Sequence, residues 1–237
     1  MNEQLFTGKA EYYEKSRPMV AKDAIDYLCS IVPPDAVFAD IGAGTGKFTS
    51  LIAERGYFVY AVEPNEAMYS VLYDKLKKIS NVNIIFSSAE NTKIPSHSVD
   101  AVVAVTALHW FNLDMFRAEC LRILKPNGLV IAIYNSRREE LRNNIGNSSK
   151  NATQIFFNAK YQIVEFPNTK YYSYDEFVAY HLSHTTAPKP EDDAYKQYLK
   201  ELDLTFKKYN IAGRYRFDFV SVLYFDREFV SNNLSGN

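Results

Sequence analysis

Between Asp35 and Tyr134 short runs rich in β-branched and aromatic residues alternate with longer amphipathic stretches. This alternation limits the possible folds more than any other feature, because it is the pattern of a parallel sheet with crossover helices. "AVFADI" reads as a strand and "KFTSLIAERG" as a helix that stops at Gly56. "YFVYAVE" is the next strand, followed by a helix in "NEAMYSVLYDKLKKI", whose apolar residues recur at helical spacing. "NVNIIFS" and "VDAVVAVT" read as strands, "LDMFRAECLRIL" as a helix closed by a turn at "KPNG", and "LVIAIYN" as a fifth strand. Five strands in this order make a doubly wound α/β sheet.

After Asn135 the pattern changes. "SRREELRNNIGNSSKNATQ" reads as a polar surface helix and loop, "YQIVEF" as a strand, and "SYDEFVAYHLS" and "DAYKQYLKELDLTFKKY" as helices. "YRFDFVSVLYFDREF" alternates as a long strand does. The expected fold is therefore a Rossmann-like, mostly parallel seven-stranded sheet with helices on both faces and an antiparallel C-terminal edge strand. A chain of 237 residues allows this as one domain, with an N-terminal helical cap over about 1–30 and a helical insertion above the sheet over about 136–212.

Composition disfavours some partners. A formal net charge of −1 gives no long-range pull toward nucleic acid or anionic lipid. No apolar run approaches the roughly 18 residues of a membrane span, and "MNEQLFTGKAEYY" lacks the marks of a secretory signal, so a cytoplasmic location is expected. Cys29 and Cys120 have no Cys or His neighbour at metal-ligand spacing, so no metal site is expected.

The stretch "DIGAGTGKFTS" (40–50) carries glycines at 42, 44 and 46 between the first strand and the first crossover helix. A P-loop ending at Gly46-Lys47 would need glycine at 41 and Ser or Thr at 48; the chain has Ile41 and Phe48. The dinucleotide fingerprint would want glycine at 47, where Lys47 stands. Asp40 places a carboxylate at the strand's end, repelling a pyrophosphate and attracting a cationic amine. S-adenosyl-L-methionine, with its ammonium and sulfonium, meets that requirement. Glu63, about 20 residues on, stands where an acidic side chain reaches ribose hydroxyls.

"FADIGAGTGKFT", "AVEPNEAM", "SSAENTKIPSHSVDAVVAVTALHWF" and "ILKPNGLVIAIYN" resemble, in order, the motifs of class I S-adenosylmethionine-dependent methyltransferases. The "HWF" is like that of the small-molecule branch that includes trans-aconitate methyltransferases. The resemblance spans about residues 10 to 135. It implies that Asp40, Gly42, Ala43, Gly44 and Gly46 hold the methionine portion, Glu63 the ribose, and Pro64 and Met68 the sides of the adenine. Ser88, which departs from the family's usual Asp, would meet the adenine edge with Ala89 and Glu90. Thr106 would face the methyl donor, while Tyr13 and Arg17 of "YYEKSRP" would close over the cofactor's carboxylate. His109 follows the fourth strand's end and is the candidate to orient or deprotonate the acceptor. Trp110, His181 and His184 are candidate lining of the acceptor pocket.

The motif of amino-group methyltransferases acting on nucleobases is absent, since "YNSR" follows the fifth strand, and a small-molecule acceptor is favoured over DNA or RNA. A tRNA-modifying enzyme, a nicotinamide-dependent oxidoreductase and a non-catalytic cofactor-binding domain remain as alternatives.

Overall fold

The computed structural model describes residues 10–139 and 147–234. Two N-terminal helices, α1 (Ala10–Ser16) and α2 (Lys22–Ser30), precede a unit of alternating strands and helices. That unit runs β1 (Val37–Ile41), α3 (Lys47–Ala53), β2 (Phe58–Val62), α4 (Glu66–Leu76), β3 (Val82–Ile85), β4 (Val99–Val105), α5 (Leu113–Ile123) and β5 (Leu124–Arg137). The remainder is α6 (Asn147–Phe156), β6 (Gln162–Tyr172), α7 (Tyr174–Leu182), α8 (Tyr195–Tyr209), β7 (Tyr215–Asp226) and α9 (Phe229–Leu234).

The seven strands form one sheet in the order β3-β2-β1-β4-β5-β7-β6. The first five are parallel, and β7 pairs antiparallel with both β5 and β6. The expected mixed sheet is thus present. Its antiparallel edge is a pair of strands, with β6 outermost and β7 between β6 and β5. Residues 136–212, read as lying above the sheet, therefore also supply a strand to it. The polar stretch read as a surface helix and loop, 136–154, falls partly outside the described residues, at 140–146; its first residues end β5 and its last, from Asn147, lie in α6.

Side chains of the central strands alternate between two apolar layers, as a period of two requires. Phe38, Ala101, Val103, Ile131 and Ile133 pack against α2 and α3 through Ile25, Leu28, Phe48 and Ile52. Their neighbours Ala39, Ile41, Val102, Ala104, Val130 and Ala132 pack against α5 and α6 through Phe116, Cys120, Ile123 and Phe156. Each such large side chain contributes about 1.5–3 kcal/mol by burial. A third cluster, including Tyr172, Phe177, Tyr180, Phe206, Phe217 and Phe219, fixes α7 and α8 over the outer strands.

Local chemistry sets the ends. Asn65 and Asn112 cap α4 and α5 by accepting from the backbone N–H of Met68 and Met115. Ser173 and Glu176 make a reciprocal capping box on α7. "KPNG" differs from expectation: β5 begins at Leu124, and the turn residues lie inside a strand whose register shifts between Val99 and Ala101 of β4. The extra residues are taken up as an irregularity in the pairing, so the helix passes directly into the strand.

Candidate functional site

Strand order reverses between β1 and β4, so their carboxyl ends leave a crevice that neither crossover helix covers. A pocket lies there. Asp40, Gly42, Ala43 and Thr45 come from the end of β1 and its loop, and Lys47 and Phe48 from the start of α3. Val105 and Thr106 close it from β4 and Asn135 from β5, while Tyr13, Arg17, Pro18, Met19 and Val20 wall it on the N-terminal side.

The three loop glycines have different reasons to be glycine, although all have positive φ. At Gly46 (φ 80°) a Cβ would lie 2.6 Å from Leu72 Cδ1 and 2.9 Å from Leu76 Cδ1, so this position lets α4 pack against the loop. At Gly42 a Cβ would sit 2.8 Å from the Cβ of Ala107. At Gly44 it would meet nothing nearer than Tyr13 Cε1, at 3.9 Å. The absent side chain there leaves open space, as a loop approached by a ligand requires.

Asp40 is fully buried. Its Oδ2 accepts from the Thr49 hydroxyl at 2.6 Å, while Oδ1 is buried with no hydrogen-bond partner. Burial, opposed by the Thr49 bond and reinforced by Glu63, pushes its carboxyl up to about 7. Thr45 Oγ1 is a second buried atom without a partner. Both atoms belong to residues lining the pocket, and orphaned polar atoms of this kind are costly unless a ligand satisfies them.

Glu63 is also buried, and its carboxylate bridges two loops: Oε2 accepts from Gly44 N–H at 2.7 Å and Oε1 from Asn65 N–H at 2.8 Å. It is absent from the pocket lining above and stands behind the glycine loop. Glu63 and Asp40 both act on Tyr13, whose phenol is raised chiefly by burial and lowered by Arg17. The Arg17 guanidinium donates from Nε to Ser183 Oγ at 2.9 Å and lies over the rings of Tyr13 and Tyr180. Among the described residues no carboxylate forms an ion pair with it.

The pocket thus brings together Tyr13, Arg17, Asp40, Gly42, Ala43 and Thr106 among the residues singled out in the sequence. Thr106 adopts φ 54°, a left-handed conformation costly for a β-branched residue and typical of sites where the backbone is forced into place. Met68 and Ala89 are buried, and Pro64 and Ser88 are half-buried. Glu90 accepts from the Asn112 N–H at 2.9 Å. His109 lies in a short 3₁₀ turn (Leu108–Trp110) and packs on Trp110 and Tyr134; it is not part of the pocket lining. Its Nδ1 is buried without a hydrogen-bond partner, and burial lowers the imidazole to about 4. His181 and His184, on and just after α7, are lowered to about 4 and about 3, mainly by burial and further by Arg17. Neither histidine belongs to the pocket lining; they pack against Phe177 and Tyr180.

Lys47, Thr45, Asn135 and the run Pro18–Val20 line the pocket without having been singled out as site residues. Asn135 carried a usable signal, being a polar residue at the carboxyl end of an apolar strand. Lys47 had served only to count against the dinucleotide fingerprint. Among the described residues no group of three or more His, Cys, Asp or Glu stands close enough to hold a metal ion, and no helix is long and apolar enough to cross a membrane.

Residues 39–132, which run from within β1 through the glycine loop to within β5, match the family model described as "Methyltransferase domain". An uncharacterised methyltransferase of Mycobacterium tuberculosis is 36% identical over 129 residues, which cover 54% of this chain and 51% of that protein. The chain therefore spans about half the length of the curated relatives it matches. Among solved structures, that of a candidate type II methyltransferase from Anaeromyxobacter dehalogenans aligns with a TM-score of 0.64 at 18% identity, covering 88% of this chain and 96% of that one. A phosphoethanolamine N-methyltransferase 2 of Haemonchus contortus, solved in complex with S-adenosyl-L-methionine, aligns with a TM-score of 0.55 at 16% identity over 92% of this chain and 56% of that one. At these identities the structural matches establish the fold alone, and the chemistry is argued from this chain's own residues.

Proposed function

We propose that this chain is an S-adenosyl-L-methionine-dependent methyltransferase acting on a small-molecule acceptor. The observation that carries the reading is Asp40: a buried carboxylate with one unpartnered oxygen, at the end of β1 in the pocket beside the glycine loop. An ammonium answers that oxygen, and a pyrophosphate would be repelled by it. The open space at Gly44 and the unpartnered Thr45 hydroxyl fit the same ligand.

Bound there, S-adenosyl-L-methionine supplies an activated methyl group on a sulfonium. Asp40 would hold the ammonium, directly or through water, and the Arg17 guanidinium would face the cofactor's carboxylate. Glu63, which holds Gly44 and Asn65 behind the glycine loop, is the proposed acceptor for the ribose hydroxyls. Pro64, Met68, Ser88, Ala89 and Glu90 are the proposed adenine surroundings. Thr106 would fix the backbone beside the transferred group. The protein's main task is to align donor and acceptor and keep water out, which is worth several kcal/mol without a strong base. His109 is neutral at pH 7 with its Nδ1 unused, and it would orient the acceptor by hydrogen bonding. Trp110, His181 and His184 are the proposed acceptor side.

A small acceptor agrees with the net charge of −1, which supplies no attraction for a polyanion. The test is transfer from radiolabelled S-adenosyl-L-methionine to separate pools of metabolites, tRNA and protein. The reading expects label in the metabolite pool, lost with Asp40→Ala. Label confined to tRNA, or no label in any pool, would reject it.

A further inference from the structure

Between α1 and α2 the segment 16–21 wraps the mouth of the pocket, and side chains from distant parts of the chain hold its backbone. Tyr172 Oη donates to the Ser16 carbonyl. Lys47 Nζ donates to the Arg17 carbonyl at 2.8 Å, Asn135 Nδ2 to the Pro18 carbonyl at 3.0 Å, and Asn168 Nδ2 to the Met19 carbonyl at 2.8 Å. The Ala21 N–H donates to Ser221 Oγ at 2.9 Å. Four of these five anchors come from the C-terminal half of the sheet, where Asn135, Asn168 and Ser221 are also bonded to one another. Lys47 alone among the five comes from the glycine loop's own helix, and alone carries a charge.

We propose that Lys47 is a positioning residue that couples the glycine loop to the strap 16–21, so that ligand binding at the loop and closure of the strap, with Tyr13 and Arg17 beside it, support each other. Lys47 lines the same pocket as Arg17, and its ammonium bonds the carbonyl of the residue whose guanidinium is proposed to face the cofactor's carboxylate. A charged donor makes such a bond roughly twice as strong as a neutral one. The cation is held near its limit: burial, with Lys75 on α4 and Arg17 on the strap, lowers Lys47 to about 8 against the opposing pull of Glu14 on α1. Asp40 and Tyr13 line the same pocket. The strap should therefore loosen as pH rises past 8. No single strand or helix holds it, so its order depends on these side chains.

This inference rests on the cofactor reading above, and one experiment separates the two. S-adenosylhomocysteine is titrated calorimetrically from pH 6.5 to 9.5 into wild type, Lys47→Arg and Lys47→Met, with hydrogen exchange of residues 16–21 followed at saturating ligand. Wild type is expected to lose about tenfold more affinity across that range than Lys47→Arg, which keeps its charge but shares the ligand's own titration. Lys47→Met is expected to bind about tenfold more weakly at pH 7, without the extra alkaline loss, and to leave the strap exchanging fast when saturated. Parallel pH profiles for wild type and Lys47→Arg, or full strap protection in Lys47→Met, would overturn the coupling and leave the cofactor reading standing. No binding by wild type at pH 7 would overturn both.

Discussion

Asp40 opposes its own fold. In the ligand-free protein its carboxyl stands at about 7 against an unfolded value of 3.8, because burial disfavours the charge. The native state therefore binds the proton more tightly, and Asp40 lowers stability as pH rises from about 4 through 7. Asp40→Asn, which can still accept from Thr49, should stabilise the free protein at pH 8 by about 2–4 kcal/mol in urea unfolding while abolishing S-adenosylhomocysteine binding. A loss of stability with binding intact would refute the role assigned to Asp40. A cationic ammonium at Oδ1 should also drive the proton off. Binding at pH 6.5 should then release protons, seen as different calorimetric heats in buffers of different ionisation enthalpy.

The glycines separate fold from site at the same scale. Gly46→Ala places a methyl against Leu72 and Leu76 in a left-handed backbone and should cost about 2–4 kcal/mol of stability. Gly44→Ala meets open space and should cost only about 1–2 kcal/mol, yet weaken ligand binding more than Gly46→Ala does in the folded fraction. Thermal melts with and without S-adenosylhomocysteine distinguish the two.

At the scale of elements, the segment after β3 depends on α5. Glu119 is buried and accepts from the backbone and hydroxyl of Thr92 and from Arg122. Burial raises its carboxyl, and the bonds from Arg122 and Thr92 outweigh that, leaving it below the usual glutamate range. Its contribution is complete above that range and lost as pH falls through the depressed value. Glu119→Ala leaves the Thr92 donors without their acceptor and should cost about 2–4 kcal/mol in urea unfolding; an unchanged midpoint would show the network to be idle. The strands and helices up to β5 were legible because each buries a face with a clean period. Other features were not. The "KPNG" turn was absorbed into β5 by a register shift that depends on its neighbour β4, and β6 extends to Tyr172 only because β7 pairs along it. Asn135, Asn168 and Ser221 meet across three strands, which no local pattern reveals.

For the whole molecule, three neutral, half-buried imidazoles set the acid behaviour. His109, His181 and His184 stand at about 4, about 4 and about 3, below the unfolded 6.5, so the unfolded chain takes up more protons as pH falls below 6.5. Asp40 works in the opposite direction but is a single group. Stability should therefore fall between pH 6.5 and 4.5 by about 1–3 kcal/mol per pH unit, and His184→Gln should flatten that slope. A urea midpoint that is level across this range would contradict the burial described for the three rings.

The glycine loop and the acidic strand ends could be read from the sequence because their chemistry lies within a few residues. The wall of the pocket could not, since residues 17 to 20 reach it only when strands far along the chain hold them there. The central claim is that the crest of this sheet receives a cationic, phosphate-free nucleoside. Calorimetric titration of wild type with S-adenosylhomocysteine and, separately, with NAD tests it most directly. One site of micromolar affinity for the former and no heat with the latter is predicted; NAD binding with S-adenosylhomocysteine inert would contradict it.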